Sequence, residues 1–325
     1  MTNSKDTPTV SGQPQTPGAD APAKTFAKKL VLAKGEERRL RVGHLWVFSN
    51  EIDVARTPLK GLTPGEPVRL EDFKGEFLAN GYANPASLIA ARFLDAELIR
   101  ERLADALALR SRLFAEPCYR LCFAEGDFLP GLTVDRYGDV AVAQITTAGV
   151  ERLKDEVAEA LRELTGIRAL LWRNDAPTRS YEGLEQYVTP AFGDVPDEVE
   201  LVENGARFRV SLREGQKTGW FFDQRMNRAR FAAYAPGARV LDLFSYVGSF
   251  GVNAALAGAE SVLCVDASAR ALDFAAKNAA LNDVGQSVAT RQGDVFDVLD
   301  ALKNEGARFD LICLDPPAFI KHKKD

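Results

Sequence analysis

The sequence predicts an α/β chain in three parts: a small β-rich module, a central α+β domain, and a C-terminal domain built on an open parallel sheet. Three observations carry this prediction. Residues 240–256, VLDLFSYVGSFGVNAAL, read as an apolar strand ending in an acid, a glycine-bearing turn and the start of a helix. Three further acids, Asp266, Asp294 and Asp315, close the runs SVLCVD, RQGD and FDLICLD; the four are separated by 24, 28 and 21 residues, each about one strand plus one helix of a βαβ unit. Between residues 26 and 95 the pattern is instead one of short β runs punctuated by Gly and Pro.

The elements follow in chain order. Residues 1–25, rich in Pro, Thr, Ser, Gly and Ala, lack the apolar stretch of a signal peptide and read as a disordered tail. The runs KKLVLAK, HLWVFSN, EPVRLEDF, FLANGYA and SLIAARFL supply the strands of a module over 26–95. Leu98, Leu103, Leu107 and Leu113, set among strong helix formers, predict a linker helix over 96–116. A central α+β domain over 117–198 takes strands from YRLCFAE, GLTVDRY and DVAVAQITT, an amphipathic helix over 150–164, and a further strand at RALLWRN. The last domain, 199–325, opens with VELVENGARFRVSL, a hairpin turning at Asn204-Gly205. From 238 onward strand and helix alternate, as a parallel sheet requires.

Composition bounds the function. A chain of 325 residues exceeds one comfortable core, and 46% hydrophobic with 27% charged residues is ordinary for globular protein. Its apolar runs fall far short of the roughly 20 residues of a membrane helix, so no membrane partner is expected and cytoplasm is the default. Four cysteines, Cys118, Cys122, Cys264 and Cys313, are too few and too scattered for a disulfide framework or a zinc site, and no metal is expected. A net charge of −5 excludes a protein coated in positive charge, so nucleic-acid binding has to be local. Residues 24–41 offer such a patch, with Lys24, Lys28, Lys29, Lys34, Arg38, Arg39 and Arg41 against Glu36 and Glu37; Lys321, His322, Lys323 and Lys324 form a second. Composition gives no oligomeric state, and a homodimer stays open.

Acids at the ends of successive parallel strands suit S-adenosylmethionine, whose amino acid, ribose and adenine need close backbone approach, hydroxyl acceptors and a polar edge. Gly248 and Gly251 permit close approach at a helix N-terminus. Asp242 is placed to hold the ammonium group directly or through water, Asp266 the ribose hydroxyls, and Asp294 the adenine amino group beside Val295 and Phe296. A nicotinamide fold shares the first two features, but FSYVGSFG lacks its G-x-G-x-x-G pattern. Asp315-Pro316-Pro317-Ala318-Phe319 forms a stiff corner, because proline fixes φ and has no N–H; such a corner holds the Asp315 carboxylate against a planar target while Phe319 stacks on its face.

With these residues in view, the chain resembles the RlmI-type family of bacterial class I methyltransferases that modify 23S ribosomal RNA. The resemblance covers about 26–325 and rests on GHLWVFSNEI, GEPVRL and GYANPAS in a PUA-like module, FLPGLTVDRYGD in the central domain, GQKTGWFFDQRMNR over 215–228, and DLFSYVGSFG with DPPAF. Leu45 departs from it, standing where the family pattern has proline. The resemblance implies a Rossmann-like methyltransferase domain preceded by an RNA-binding PUA-like module. It also implies a cofactor wall of Lys217, Thr218, Gln224 and Arg225 facing the loop residues Phe244, Tyr246, Gly248, Ser249 and Phe250, with Asp315, Pro316, Pro317 and Phe319 at the base. Read from the residues alone, QKTGWFFDQR joins a hairpin to a helix that Asp223 would cap.

Only four strands fit after residue 238, where a class I methyltransferase usually has seven, so the sheet is expected to be truncated at its C-terminal side and LICL to be an exposed edge strand. A chain of this kind is expected to be poorly soluble or to bind cofactor weakly. Cytosine C5 is a poor nucleophile whose methylation needs a thiolate at C6; the apolar settings of Cys264 and Cys313 read as packing, and the resemblance places the nucleophile in a Ser-Cys-Ser stretch beyond residue 325. The leading expectation is therefore a 23S rRNA cytosine-C5 methyltransferase. The alternatives are transfer to a ring nitrogen such as guanine N7, an RNA-binding protein without turnover, and a small-molecule methyltransferase.

Overall fold

The computed structural model describes residues 28–317. The tail at 1–25, Lys24, Phe319 and the cluster from Lys321 to Lys324 lie outside them. The chain forms two compact units. One holds the described residues up to Asp95 together with Tyr181–Gly183; the other holds Ala96–Ser180 and the described residues from Leu184 onward.

All five β runs of the first unit form strands: β1 (Lys29–Val31), β2 (Trp46–Phe48), β3 (Glu66–Glu71), β4 (Phe77–Ala83) and β5 (Ile89–Arg92). They make one sheet in the order β1-β3-β4-β5-β2, parallel between β1 and β3 and antiparallel elsewhere. Alternate residues such as Val68 and Leu70 point inward with Leu30, Leu32, Val47 and Ala90, as the two-residue period of a strand dictates. The five-residue helix α1 (Glu37–Arg41) is too short to leave a periodic signal. It carries part of the basic patch, whose charge is largely answered by acids from other elements: Lys28 pairs with Glu66 at 2.8 Å, Lys29 with Glu71 at 3.0 Å, Arg39 with Glu51 at 2.7 Å and Arg41 with Asp72 at 3.1 Å.

The second unit begins with the predicted helix, α2 (Ala96–Leu113), then β6 (Cys118–Phe123), β7 (Leu132–Tyr137) and β8 (Val140–Ile145). The helix expected over 150–164 is two, α3 (Ala148–Arg152) and α4 (Lys154–Thr165), broken at Leu153. Next come β9 (Ala169–Asn174) and β10 (Tyr187–Phe192), giving a sheet in the order β10-β9-β8-β7-β6. β10 was not expected, because Pro190 argues against a strand; the structure accommodates it at the sheet edge beside a register shift. The hairpin β11 (Glu198–Glu203) and β12 (Ala206–Ser211) turns at Asn204 and Gly205, both with positive φ (55° and 80°), the geometry of a type I′ turn.

The remaining elements are α5 (Arg225–Ala232), β13 (Arg239–Leu243), α6 (Ser249–Leu256), β14 (Ser261–Asp266), α7 (Ala269–Leu281), β15 (Val288–Gln292), α8 (Val295–Asn304) and β16 (Leu311–Leu314). The four strands form a parallel sheet in the order β15-β14-β13-β16. β16 is its edge among the described residues, with Ile312 and Leu314 exposed. One hydrophobic core joins Tyr137, Val142 and Leu171 of the central sheet to Phe208 and Trp220 and to Val252 and Phe274 of the helices on the parallel sheet. Residues 117–180 and 184–317 therefore pack as one body.

Candidate active site

Register places the acids. Asp242 pairs with Cys264 on one neighbouring strand and with Cys313 on the other. Two residues further along a strand, side chains return to the same face, so Asp266 and Asp315 stand on the face of Asp242 and level with Phe244. Strand spacing sets them about 10 Å apart, straddling β13. β13 leaves the sheet in that gap through Phe244 (φ 59°), Tyr246 (φ 48°) and Gly248 (φ 75°). Two non-glycine residues in the left-handed region of one short loop mark strain of the kind found at functional sites. The connection from β13 to β14 runs to one side and β16 lies on the other, so this gap is the switch point where open α/β sheets bind ligands.

Asp242 is buried at 1% exposure, and its Oδ2 accepts the Gly251 N–H at 2.9 Å. A Cβ at Gly251 would meet Cys264 Sγ at 2.6 Å and Asp242 Oδ2 at 3.2 Å, so α6 can lie this close to the strand only with glycine there. Burial pushes the Asp242 carboxyl up to about 7, and the negative charges of Asp266 and Asp315 add to the effect. Asp242 thus anchors α6 as well as facing the loop. The Ser245 hydroxyl is buried beside the Cys264 thiol and makes no hydrogen bond of ordinary geometry among the described residues.

Asp266 is half-buried; its Oδ2 accepts the Tyr246 N–H and its Oδ1 the Ser268 N–H, both at 2.9 Å. Each carboxylate oxygen retains a lone pair for a hydroxyl. Asp294 caps α8 through the Phe296 N–H at 2.9 Å, with Val295 buried and Phe296 exposed. The Gly293 N–H donates to the Asp266 carbonyl at 3.2 Å, which keeps the two acidic loops adjacent. Asp315, Pro316 and Pro317 are exposed, and Asp315 Oδ2 accepts Gln224 Nε2 at 3.2 Å.

The segment 215–228 is clamped from three sides. Tyr246 OH accepts the Gln216 N–H at 3.0 Å and donates to the Gly219 carbonyl at 3.2 Å, tying the segment to the glycine loop. Thr218 is fully buried, its hydroxyl donating to Asp135 and its carbonyl accepting from Tyr137 OH at 3.1 Å. Arg225 and Arg228 both reach the buried Glu203, at 3.2 and 2.6 Å, and the Arg225 guanidinium lies 4.3 Å from the Phe114 ring. Lys217, with φ 50°, reaches Asp223 at 3.0 Å and lies over the Phe221 ring.

Of the four residues expected to line the wall, Gln224 meets a strand-end acid and Lys217 meets Asp223. Thr218 and Arg225 instead hold the segment in place. The expected Asp223 cap is corrected: the residues before the 3-10 turn Phe222–Gln224 and before α5 are Phe221 and Gln224, neither making a side-chain cap, and the Asp223 carboxylate faces Lys217. Asn227 escaped sequence reasoning. It lies three residues beyond Gln224, with Nδ2 donating to Gln224 Oε1 at 2.6 Å.

All four cysteines are buried, and burial raises each thiol above its ordinary range. A separate cavity of about 320 Å³, lined by Phe114, Glu203, Arg225 and Met226 among others, contains none of the strand-end acids. Among the described residues no group of three His, Cys, Asp or Glu is arranged to hold a metal, and no helix is long and apolar enough to cross a membrane.

The site suits S-adenosylmethionine on its own geometry: a glycine-tight helix start, the unmatched Ser245 hydroxyl, and carboxylates flanking a strained loop at a switch point. A family model described as a PUA-like domain matches residues 30–96, and one described as an S-adenosylmethionine-dependent methyltransferase matches 188–324. Two solved structures share the fold at 24% identity: one from Streptococcus mutans with a TM-score of 0.73, covering 90% of this chain and 77% of that one, and SMU.776 complexed with SAH, with a TM-score of 0.75 and coverages of 91% and 78%. The chain is an S-adenosylmethionine-dependent methyltransferase with a PUA-like N-terminal domain. Its curated relatives include "Ribosomal RNA large subunit methyltransferase I" from Tolumonas auensis, 38% identical over 90% of this chain and 77% of the relative. The protein of the same name from Aeromonas hydrophila is 39% identical over 92% and 78%. The chain belongs to the ribosomal RNA large subunit methyltransferase I family.

Proposed function

We propose that this chain methylates 23S ribosomal RNA in the cytoplasm, at cytosine C5, with Asp315, Pro316, Pro317 and Phe319 forming the corner that holds the target base. The observation that carries the reading is the placement of Asp266 and Asp315 on one face, astride the strained loop that leaves β13. The cofactor supplies a methyl group activated by its sulfonium. Asp266 accepts from its ribose hydroxyls, Asp294 and Phe296 border its adenine, and the loop Phe244, Tyr246, Gly248, Ser249 and Phe250 closes around it. Asp242, buried behind the loop with its Oδ2 on the Gly251 N–H, lies on the side of the cofactor's ammonium group, which it holds directly or through water. Much of the effect of such a site comes from holding donor and acceptor in line. The PUA-like module, 26–95, engages the RNA.

Transfer to C5 needs a thiolate at C6, and the four cysteines within residues 1–325 are buried. A second reading is transfer to a ring nitrogen such as guanine N7, which needs no covalent catalyst. Incubating unmodified 23S RNA with labelled cofactor and resolving the nucleosides by mass spectrometry tests both. Label in 5-methylcytidine supports the first reading, label in 7-methylguanosine the second, and no label on RNA overturns both. Asp315→Ala is expected to lower turnover at least about 100-fold with cofactor affinity and melting temperature unchanged; undiminished turnover removes Asp315 from the role.

A further inference from the structure

Among the described residues Asp315 is exposed at the end of the edge strand β16, and its carboxylate is held by a side-chain hydrogen bond rather than by packing. The described structure supplies a chain of three side chains. Asn227 Nδ2 donates to Gln224 Oε1 at 2.6 Å, and Gln224 Nε2 donates to Asp315 Oδ2 at 3.2 Å. We propose that Asn227 is a positioning residue for methyl transfer: by fixing the orientation of the Gln224 carboxamide it presents an N–H to Asp315 and leaves Asp315 Oδ1 free for the target base. The inference rests on the reading of Asp315 as the residue that contacts that base.

The direction of the chain follows from donor and acceptor chemistry. A carboxylate only accepts, whereas a carboxamide offers an oxygen on one side and an NH₂ on the other. Facing Asp315, the Gln224 amide has to present nitrogen; its oxygen then points to residue 227, which has to donate. Asparagine donates from NH₂, and aspartate at 227 would not. In the Asn227→Asp variant two carboxylates compete for the one Gln224 NH₂, and the amide turned toward residue 227 sets its oxygen against Asp315.

The backbone ensures that this chain begins from a fixed point. Gln224 ends the 3-10 turn Phe222–Gln224, and the following helix is held by Arg225 and Arg228 on Glu203, which is itself 1% exposed. The Gln224 and Asn227 side chains stand outside that buried network, half-buried and exposed respectively, so substitution at 227 removes no core contact.

The test compares Asn227→Asp, Asn227→Ala and the charge control Ala229→Asp, an exposed position on another side of α5, in the full-length protein at saturating RNA. Asn227→Asp is expected to lower kcat about tenfold and Asn227→Ala about threefold, with cofactor affinity within about twofold and Ala229→Asp near wild type. This order is the discriminating result, since a purely structural role would make the truncation to alanine worse than the isosteric aspartate. A second readout is independent of turnover: in Asn227→Asp the Gln224 side-chain amide resonances shift, and they no longer respond to Asp315→Asn. Wild-type kcat in Asn227→Asp, alanine worse than aspartate, or an unmoved Gln224 amide each overturns the proposal. Failure of the underlying reading looks different, because the wild-type protein would then put no label on RNA or Asp315→Ala would keep full turnover.

Discussion

Asp242 sets the chemistry of the site through its burial more than through contact. Its neighbours in the sheet are two thiols, its Oδ2 accepts the Gly251 N–H, and its charge is opposed by Asp266 and Asp315. A carboxyl at about 7 in the fold against 3.8 in the open chain means that the folded state keeps a proton the unfolded state has lost. Both states are protonated below about pH 4, so the group then carries no penalty; stability falls as pH rises from there to about 7 and is constant above. The difference between 3.8 and about 7 bounds the loss at ~4 kcal/mol. Asp242→Asn, which keeps an acceptor for Gly251 and stays neutral, is expected to flatten this slope and melt no lower than wild type at pH 8. Thermal melts of the two proteins at pH 5 and pH 8 decide it: parallel pH dependences would mean that Asp242 ionises normally.

At the scale of elements, periodicity and punctuation were legible where an element is regular and solvent faces one side of it. The five strands of the first unit, α2 and the alternation after residue 238 follow this rule, and the Asn204-Gly205 turn has the positive φ values its residues announce. β10 was hidden by Pro190, which an edge position tolerates, and the break at Leu153 carries no glycine or proline to announce it. The strand-end acids were readable because a carboxylate after an apolar run is conspicuous. What held Asp315 was not, since Gln224, itself bonded to Asn227, reaches it across a fold of the chain.

The same limit applies to α7. Asn278 is fully buried, accepts the Arg209 N–H at 2.7 Å and donates to the Val247 carbonyl at 3.1 Å; one turn later Asn282 accepts the Arg207 N–H at 2.9 Å. The open edge of β12 is thereby covered by side-chain amides, and the glycine loop is tied to the same helix. Asn278→Ala removes the partner of the Arg209 N–H and of the Arg209 and Val247 carbonyls and is expected to destabilise the fold by about 2–4 kcal/mol. Urea denaturation checks this, and a loss under about 1 kcal/mol would show that water replaces the lost amide.

On the scale of the whole molecule, sequence order and structural membership diverge at one point. Tyr181–Gly183 lies between segments of the second unit yet belongs to the first. Glu182 makes this membership specific: its carboxylate accepts from Arg92 at 2.9 Å and from Asn84 at 2.7 Å, with Arg92 and Glu182 both nearly buried. Arg92 Nε and Nη1 are buried without a hydrogen-bond partner among the described residues, so Glu182 is the charge that makes a buried guanidinium tolerable. Removing one member of such a pair is strongly destabilising because the other is left uncompensated, typically by about 3–5 kcal/mol. Glu182→Ala is therefore expected to loosen residues 28–95, nearly a hundred positions upstream in sequence, while leaving the parallel sheet intact. Hydrogen exchange resolved by peptide reads this directly. Faster exchange in β3, β4 and β5 with unchanged protection in β13 and β14 is the expected pattern; faster exchange confined to the peptides around 177–187 would mean that the pair anchors only its own turn. A second variant, Glu182→Ala with Arg92→Met, is expected to recover most of the protection, because a buried apolar chain of similar length needs no partner.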